Sequence, residues 1–242
     1  MSAASPVVTR AAKLDPDNTN ILVCGGGGVG LETVRILKSM GSWVWMLQRT
    51  DDRQKQIESW FAVWAKGDAL DKDGLEKVFQ GIDQGEVQAV VSTLGGTLED
   101  NRVDSEGNIN VIEMAKKFGV KKFVLVTSIG CGDSRPSLAP SAAETLGPVL
   151  DQKDMAETRL REICEDGGME FVIVRPGGLK SEGASGNGVV SEDERIVGAI
   201  TREDTAKLVV KALFSDKTSG KILHAVDKNM LMTDVELTTF DM

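Results

Sequence analysis

Gly25-Gly26-Gly27-Gly28-Val29-Gly30 has the spacing G-x-G-x-x-G. It directly follows an apolar run, Asn20-Ile21-Leu22-Val23-Cys24, and opens a segment with helical apolar spacing at Leu31, Val34, Ile36 and Leu37. In that setting each glycine has a task. Gly25 permits a tight turn, Gly27 lets the backbone approach a pyrophosphate, and Gly30 allows helix and strand to pack closely. The unpaired amides of the helix start, around Gly28 and Val29, would face the phosphates. No Gly-Lys-Ser/Thr follows, so a P-loop is excluded. The expected ligand is a dinucleotide. NAD sites usually carry an acid about 20 residues further on, at the end of the second strand. Here that place holds Gln48-Arg49-Thr50, then Asp51 and Asp52. The planar fork of Arg49 suits a 2′-phosphate and favours NADP. Asp51 turned inward would instead favour NAD.

Other chemistry is limited by what the chain lacks. It contains no tyrosine, so no phenol can serve as acid or base. Its one histidine, His224, lies in a strand-like run, Lys221-Ile222-Leu223-His224-Ala225-Val226, with no G-x-S-x-G elbow elsewhere. A structural role is expected for it. Cys24, Cys131 and Cys164 form no C-x-x-C pair, which argues against a metal site and for a reducing compartment. Cys131 would fall near the active cleft, as a redox-active or an inert thiol. Lys and Arg number 28 against 37 Asp and Glu, a formal net charge of -9. That balance disfavours nucleic acid and anionic lipid as partners. No apolar stretch approaches the ~20 residues of a membrane span.

The elements that must position these residues alternate along the chain. Trp43-Val44-Trp45-Met46-Leu47, Ala62-Val63-Trp64-Ala65, Val87-Gln88-Ala89-Val90-Val91, Phe123-Val124-Leu125-Val126 and Phe171-Val172-Ile173-Val174 read as further strands. Their continuous apolar character predicts a parallel sheet covered by helices on both faces. Helices are expected over about 72–80, 104–118, 150–166 and 202–214. The fold class is therefore α/β, a Rossmann-like doubly wound parallel sheet in a single domain over 19–226. Residues 1–18, rich in Ser, Ala and Thr with Arg10 and Lys13, resemble a transit-peptide remnant or a flexible tail. Residues 227–242 read as a peripheral tail. The stretches 130–147 and 177–198 lack periodicity and follow strand ends, where ligands of such sheets bind.

Several motifs, in order, resemble the atypical short-chain dehydrogenase/reductases, especially the NmrA-like group of plastids and cyanobacteria. They are Gly67-Asp68, Ser92-Thr93-Leu94-Gly95, Val103-Asp104 with Gly107 and Asn110, Thr127-Ser128-Ile129-Gly130, and Arg175-Pro176-Gly177-Gly178-Leu179. The resemblance covers about residues 20–226. It implies that Asp68 and Ala69 border the adenine and that Ser92, Thr93, Leu94 and Gly95 pass beside the cofactor. It further implies that Ser128 is the active-site serine and that Arg175, Pro176 and Gly177 lie near the nicotinamide. The glycine turn is one residue shorter than the family's usual form.

The family's catalytic Tyr stands four residues before a Lys. The matching lysine is Lys153, and four residues earlier stands Val149, which exchanges no proton. Ser128 and Lys153 remain as the candidate catalytic groups, with Lys153 as a ribose contact or simply an exposed charge. The resemblance implies an NADP-binding protein without Tyr-dependent catalysis. It could be a scaffold, assembly or redox-sensing subunit with a protein partner in a chloroplast. The alternatives are an NADPH-dependent reductase or isomerase with another proton route, and an NmrA-like regulator.

Overall fold

The computed structural model describes residues 13–82 and 86–242. Most of the Ser/Ala/Thr-rich leader lies outside them. Its described end is tied to the domain, with Ser42 Oγ donating to the Pro16 carbonyl.

Among the described residues ten strands and six helices follow in this order: β1 Asn20–Cys24, α1 Gly28–Ser39, β2 Trp43–Gln48, α2 Gln54–Ser59, β3 Val63–Lys66, α3 Lys72–Gly81, β4 Ala89–Ser92, α4 Asn108–Lys117, β5 Lys122–Val126, α5 Pro140–Cys164, β6 Glu170–Pro176, β7 Gly178–Lys180, β8 Gly188–Ser191, β9 Ala199–Thr201, α6 Arg202–Phe214 and β10 Lys221–Asp227. Eight strands form one sheet in the order β3-β2-β1-β4-β5-β6-β10-β8, all parallel except β8, which runs antiparallel to β10. The expected doubly wound architecture is present.

Both faces of the sheet are covered, which is why its strands are apolar throughout. Successive side chains of β1 alternate between two cores. Ile21 and Val23 pack with Val34 and Leu37 of α1 and Val209 and Leu213 of α6. Leu22 and Cys24 pack on the other side with Leu75 and Phe79 of α3, Ile112 of α4 and Leu160 of α5. The strand order reverses between β1 and β4, and that switch point opens a crevice at their carboxyl ends.

Two segments differ from their sequence-based expectation. The stretch 130–147 is not a plain loop: a 3-10 turn spans Gly132–Ser137, and α5 begins at Pro140, ten residues before the expected start. Gly147 and Pro148 and the exposure of that first part hide its periodicity. The C-terminal tail packs on the domain, with Leu231 bridging Gly198 and the Phe240 amide donating to the Val190 carbonyl at 2.7 Å.

A buried ion pair fixes the ends of β5 and β6. Arg175 is 2% exposed and meets Glu157 of α5, wholly buried, through a two-pronged contact: Nε to Oε1 at 3.1 Å and Nη2 to Oε2 at 2.7 Å. Its Nη1 donates to Asp133. Thr127 Oγ1 donates to the same Glu157 carboxylate at 2.6 Å, so one acid holds α5, β6 and the start of the Ser128 loop. Arg175 is therefore a structural residue behind the crevice, not a cofactor contact, because its guanidinium is consumed by carboxylates. Ser92 is corrected in the same way: wholly buried, it donates to Asn108 Oδ1 at 2.6 Å instead of facing the crevice. His224 is buried beside Arg175, and burial together with that cation lowers its pKa to about 4, consistent with a neutral structural imidazole.

Removing one member of a buried, hydrogen-bonded pair strands the other charge. Glu157→Ala is expected to lower unfolding free energy by about 3–5 kcal/mol in urea titrations. A loss below about 1 kcal/mol would show that the pair does not anchor these strand ends.

Candidate functional site

The crevice starts at the glycine turn. Gly25 adopts φ +115, and a Cβ there would lie 2.5 Å from Thr93 Oγ1. A Cβ on Gly30 would lie 2.2 Å from the Gly25 carbonyl oxygen, so the close approach of turn and helix needs a glycine at that place. Nothing lies within 4 Å of the Cβ position of Gly27, whose missing side chain leaves open space at the start of α1. No side chain caps that helix, and its first turn contains no acid. Its free amides and positive dipole end thus face a cavity of about 690 Å³, an arrangement suited to a diphosphate.

One part of this cavity is lined by the residues that the sequence assigns to the adenosine side. Gln48, Arg49 and Thr50 line it from the end of β2, and Asp68 and Ala69 from the turn after β3. Gln48 is 7% exposed and packs against the Cα of Gly26, where an acid of an NAD site would stand. Asp51 and Asp52 do not line the cavity; Asp52 accepts from Thr50 Oγ1 at 2.9 Å, and the Asp51 carbonyl accepts from the Gln54 amide. Asp68 Oδ1 accepts from the Leu70 amide at 2.9 Å, and the Ala69 carbonyl accepts from Asn110 Nδ2 at 2.9 Å, which fixes the turn.

Toward the other end, Thr93, Leu94 and Gly95 form a wall shared with a second cavity of about 580 Å³. Ser128, Val149, Lys153, Pro176 and Gly177 line that second space together with Leu98, Leu138, Leu146 and Leu150. Lys153 is no exposed charge: its side chain is 14% exposed, and Nζ stands 2.6 Å from Oδ1 of the wholly buried Asp104. Asp104 also accepts from the Gly96 amide at 2.8 Å, so it holds both the lysine and the loop after β4. A π-helical turn, Val103–Gly107, delivers Asp104 inward just before α4. Ser128 Oγ donates to the Ile129 carbonyl at 3.0 Å, and no histidine or carboxylate among the described residues bonds to it. Pro176 and Gly177 close the far side, where a Cβ on Gly177 would lie 2.2 Å from the Gly198 carbonyl.

Cys131 lines neither cavity. It is fully buried, and desolvation with the nearby Glu157 charge pushes its pKa up to about 12, an inert thiol. Two residues that sequence reasoning left out belong to the site. Asp104 was legible only as part of a family motif, since nothing in its neighbours predicts an inward, charge-bearing π turn. Arg202 lines both cavities although it lies 174 positions after Gly28, and only the packing of α6 on α1 brings them together.

The family model described as NAD(P)H-binding matches residues 25–216. An uncharacterised chloroplastic protein of Arabidopsis thaliana is 32% identical over 126 residues, covering 52% of this chain and 45% of that protein. A photosystem II assembly factor of Synechocystis is 24% identical over 217 residues, covering 85% of this chain and 62% of that protein. The chain therefore matches only about half to three fifths of the length of these curated relatives. Among solved structures, an anaerobillin reductase of Escherichia coli O157:H7 superposes with a TM-score of 0.77 at 25% identity, over 91% of this chain and 100% of that one. With a glycine turn built for a diphosphate and a family match over most of its length, the chain belongs to the NAD(P)H-binding family.

Proposed function

We propose that this chain binds NADP(H) and reduces a flat, largely apolar small molecule by a route that uses no tyrosine. The observation that carries the reading is the apolar second cavity, which opens off the dinucleotide crevice where Ser128 and Lys153 stand. When bound, the nicotinamide supplies a hydride, and the protein has to orient the acceptor and stabilise its developing charge. The Gly25–Gly30 turn holds the diphosphate, and Thr93, Leu94 and Gly95 run along the nicotinamide arm. Lys153, pinned by Asp104, presents an ammonium to a ribose hydroxyl or to an acceptor oxygen that gains charge. Ser128 supplies a hydroxyl that can donate a hydrogen bond, and without a base beside it this group orients rather than ionises. With Val149 in the tyrosine's place, the product's proton comes from Lys153 or from water. The preference for NADP rests on Gln48 and Arg49 at the end of β2 and on the outward engagement of Asp52.

A second reading is supported by the likeness to a photosystem II assembly factor across 85% of the chain. In it, the cofactor-loaded chain is an assembly or redox-sensing subunit of a plastid complex, with a protein partner and no turnover. Relatives named as chloroplastic and the Ser/Ala/Thr-rich leader support a plastid location.

Arg49→Ala is expected to weaken NADPH by about 1–3 kcal/mol, a charged hydrogen bond's worth, and to leave NADH nearly unchanged. Quenching of the tryptophan fluorescence reads both; an equal loss for the two cofactors, or none, removes Arg49 from the site. Turnover is followed as NADPH oxidation with quinones, enones and anaerobillin. At least one acceptor should react, and kcat should fall at least about tenfold in Lys153→Met. Tight NADPH binding with no oxidation by any acceptor, and co-purification with thylakoid complexes, would replace this reading by the second.

A further inference from the structure

Arg202 is an arginine without an acid. Its Nη1 donates to Ser181 Oγ at 2.8 Å and, more weakly, to the Leu179 carbonyl at 3.4 Å. It enters no ion pair among the described residues. The carboxylates next to it in sequence are engaged elsewhere: Glu203 with Arg35 at 3.3 Å and Lys207 at 3.2 Å, and Asp204 with Ser185 and Thr201. Arg49, Arg53 and Arg161 are likewise outside the ion pairs of the described residues, but of these only Arg49 and Arg202 line the crevice.

Its placement gives the reason. Arg202 is the first residue of α6, and its side chain crosses to the start of α1, where a Cβ on Gly28 would lie 2.5 Å from Arg202 Cδ and 3.3 Å from Nε. The guanidinium therefore lies beside an uncapped helix N-terminus that has no acid in its first turn. A full positive charge and a positive dipole end repel each other, and an anion placed between them relieves both. Among the described residues only Nη1 has protein partners, which leaves the donors on Nε and Nη2 for that anion.

We propose that Arg202 is the second half of the diphosphate site, closing on the cofactor from α6 opposite the glycine turn. Resting on the assignment of the crevice to NADP(H), this adds a residue that binds the phosphates common to both nicotinamide cofactors, whereas Arg49 reads the 2′-phosphate. It also gives the cofactor a connection to the substrate space. β7 pairs with β9 in the register Leu179 to Ile200 and Lys180 to Thr201, immediately before Arg202. Leu179 lines both cavities, so the arginine that holds the phosphates also tethers one wall of the substrate cavity.

The test uses three probes on the full chain: NADPH, NADH and ADP-ribose, which carries the diphosphate without a nicotinamide. Arg202→Gln is expected to weaken all three by a similar factor, roughly ten- to hundredfold, with Arg202→Lys in between. The thermal midpoint of the ligand-free protein should change little, because relief of the repulsion with the α1 dipole offsets loss of the Ser181 and Leu179 contacts; a large fall would mark a purely structural arginine. Unchanged affinity for NADH and ADP-ribose, or a loss confined to NADPH, would overturn the proposal. Failure of the parent protein to bind any of the three would instead remove the dinucleotide assignment itself.

Discussion

The start of α1 is a helix end left open. Most helices satisfy their first amides with a capping side chain or an acid in the first turn. Here the cap is Gly27, no side chain bonds to it, and four glycines keep the approach clear. The strand order places that open end at the switch point of the sheet, between β1 and β4, so that the crevice and the amides coincide. An anion is the natural complement. The rest of the site is arranged around this constraint: Gly25 and Gly30 make the turn tight, Thr93 packs against it, and Arg202 approaches from α6.

Two buried acids divide the remaining work. Glu157 gathers Arg175 and Thr127, fixing the ends of β5 and β6 and the loop that carries Ser128. Asp104 gathers Lys153 and the Gly96 amide, fixing the wall between the two cavities. The first acid lies behind Thr127 of the second cavity's lining and serves the fold. The second, wholly buried behind that wall, sets where the lysine can act. A cation held in this way, facing an apolar cavity, suits stabilisation of charge on a reduced acceptor. That division makes the proposed reductase without tyrosine physically coherent.

Much of this was legible in the residues. Continuous apolar runs such as Phe123-Val124-Leu125-Val126 announce strands buried on both faces, and the glycine spacing after Cys24 announces the turn. The start of α5 was hidden because its first residues are exposed and interrupted by Gly147 and Pro148, so no stripe marks it. Arg175 and Ser92 were misplaced because a motif gives position along a strand but not the face a side chain takes; both turn into the protein, toward Glu157 and Asn108. Arg202 was invisible because its meaning lies in a contact across 174 positions. A chain read in order reveals local chemistry, and long-range packing decides which charges are left without partners.

The open helix end can be tested by closing it. Gly27 has φ -79 and ψ 174, ordinary for any residue, and open space at its Cβ position, so Gly27→Asp should fold and cap α1. The measurement is NADPH affinity by calorimetry beside the thermal midpoint of the ligand-free protein. An anion site at these amides predicts a midpoint equal to or above the parent's, with affinity lower by more than about a hundredfold, as the carboxylate occupies and repels the phosphate position. A Gly27→Asp protein that binds NADPH as tightly as the parent would contradict the account.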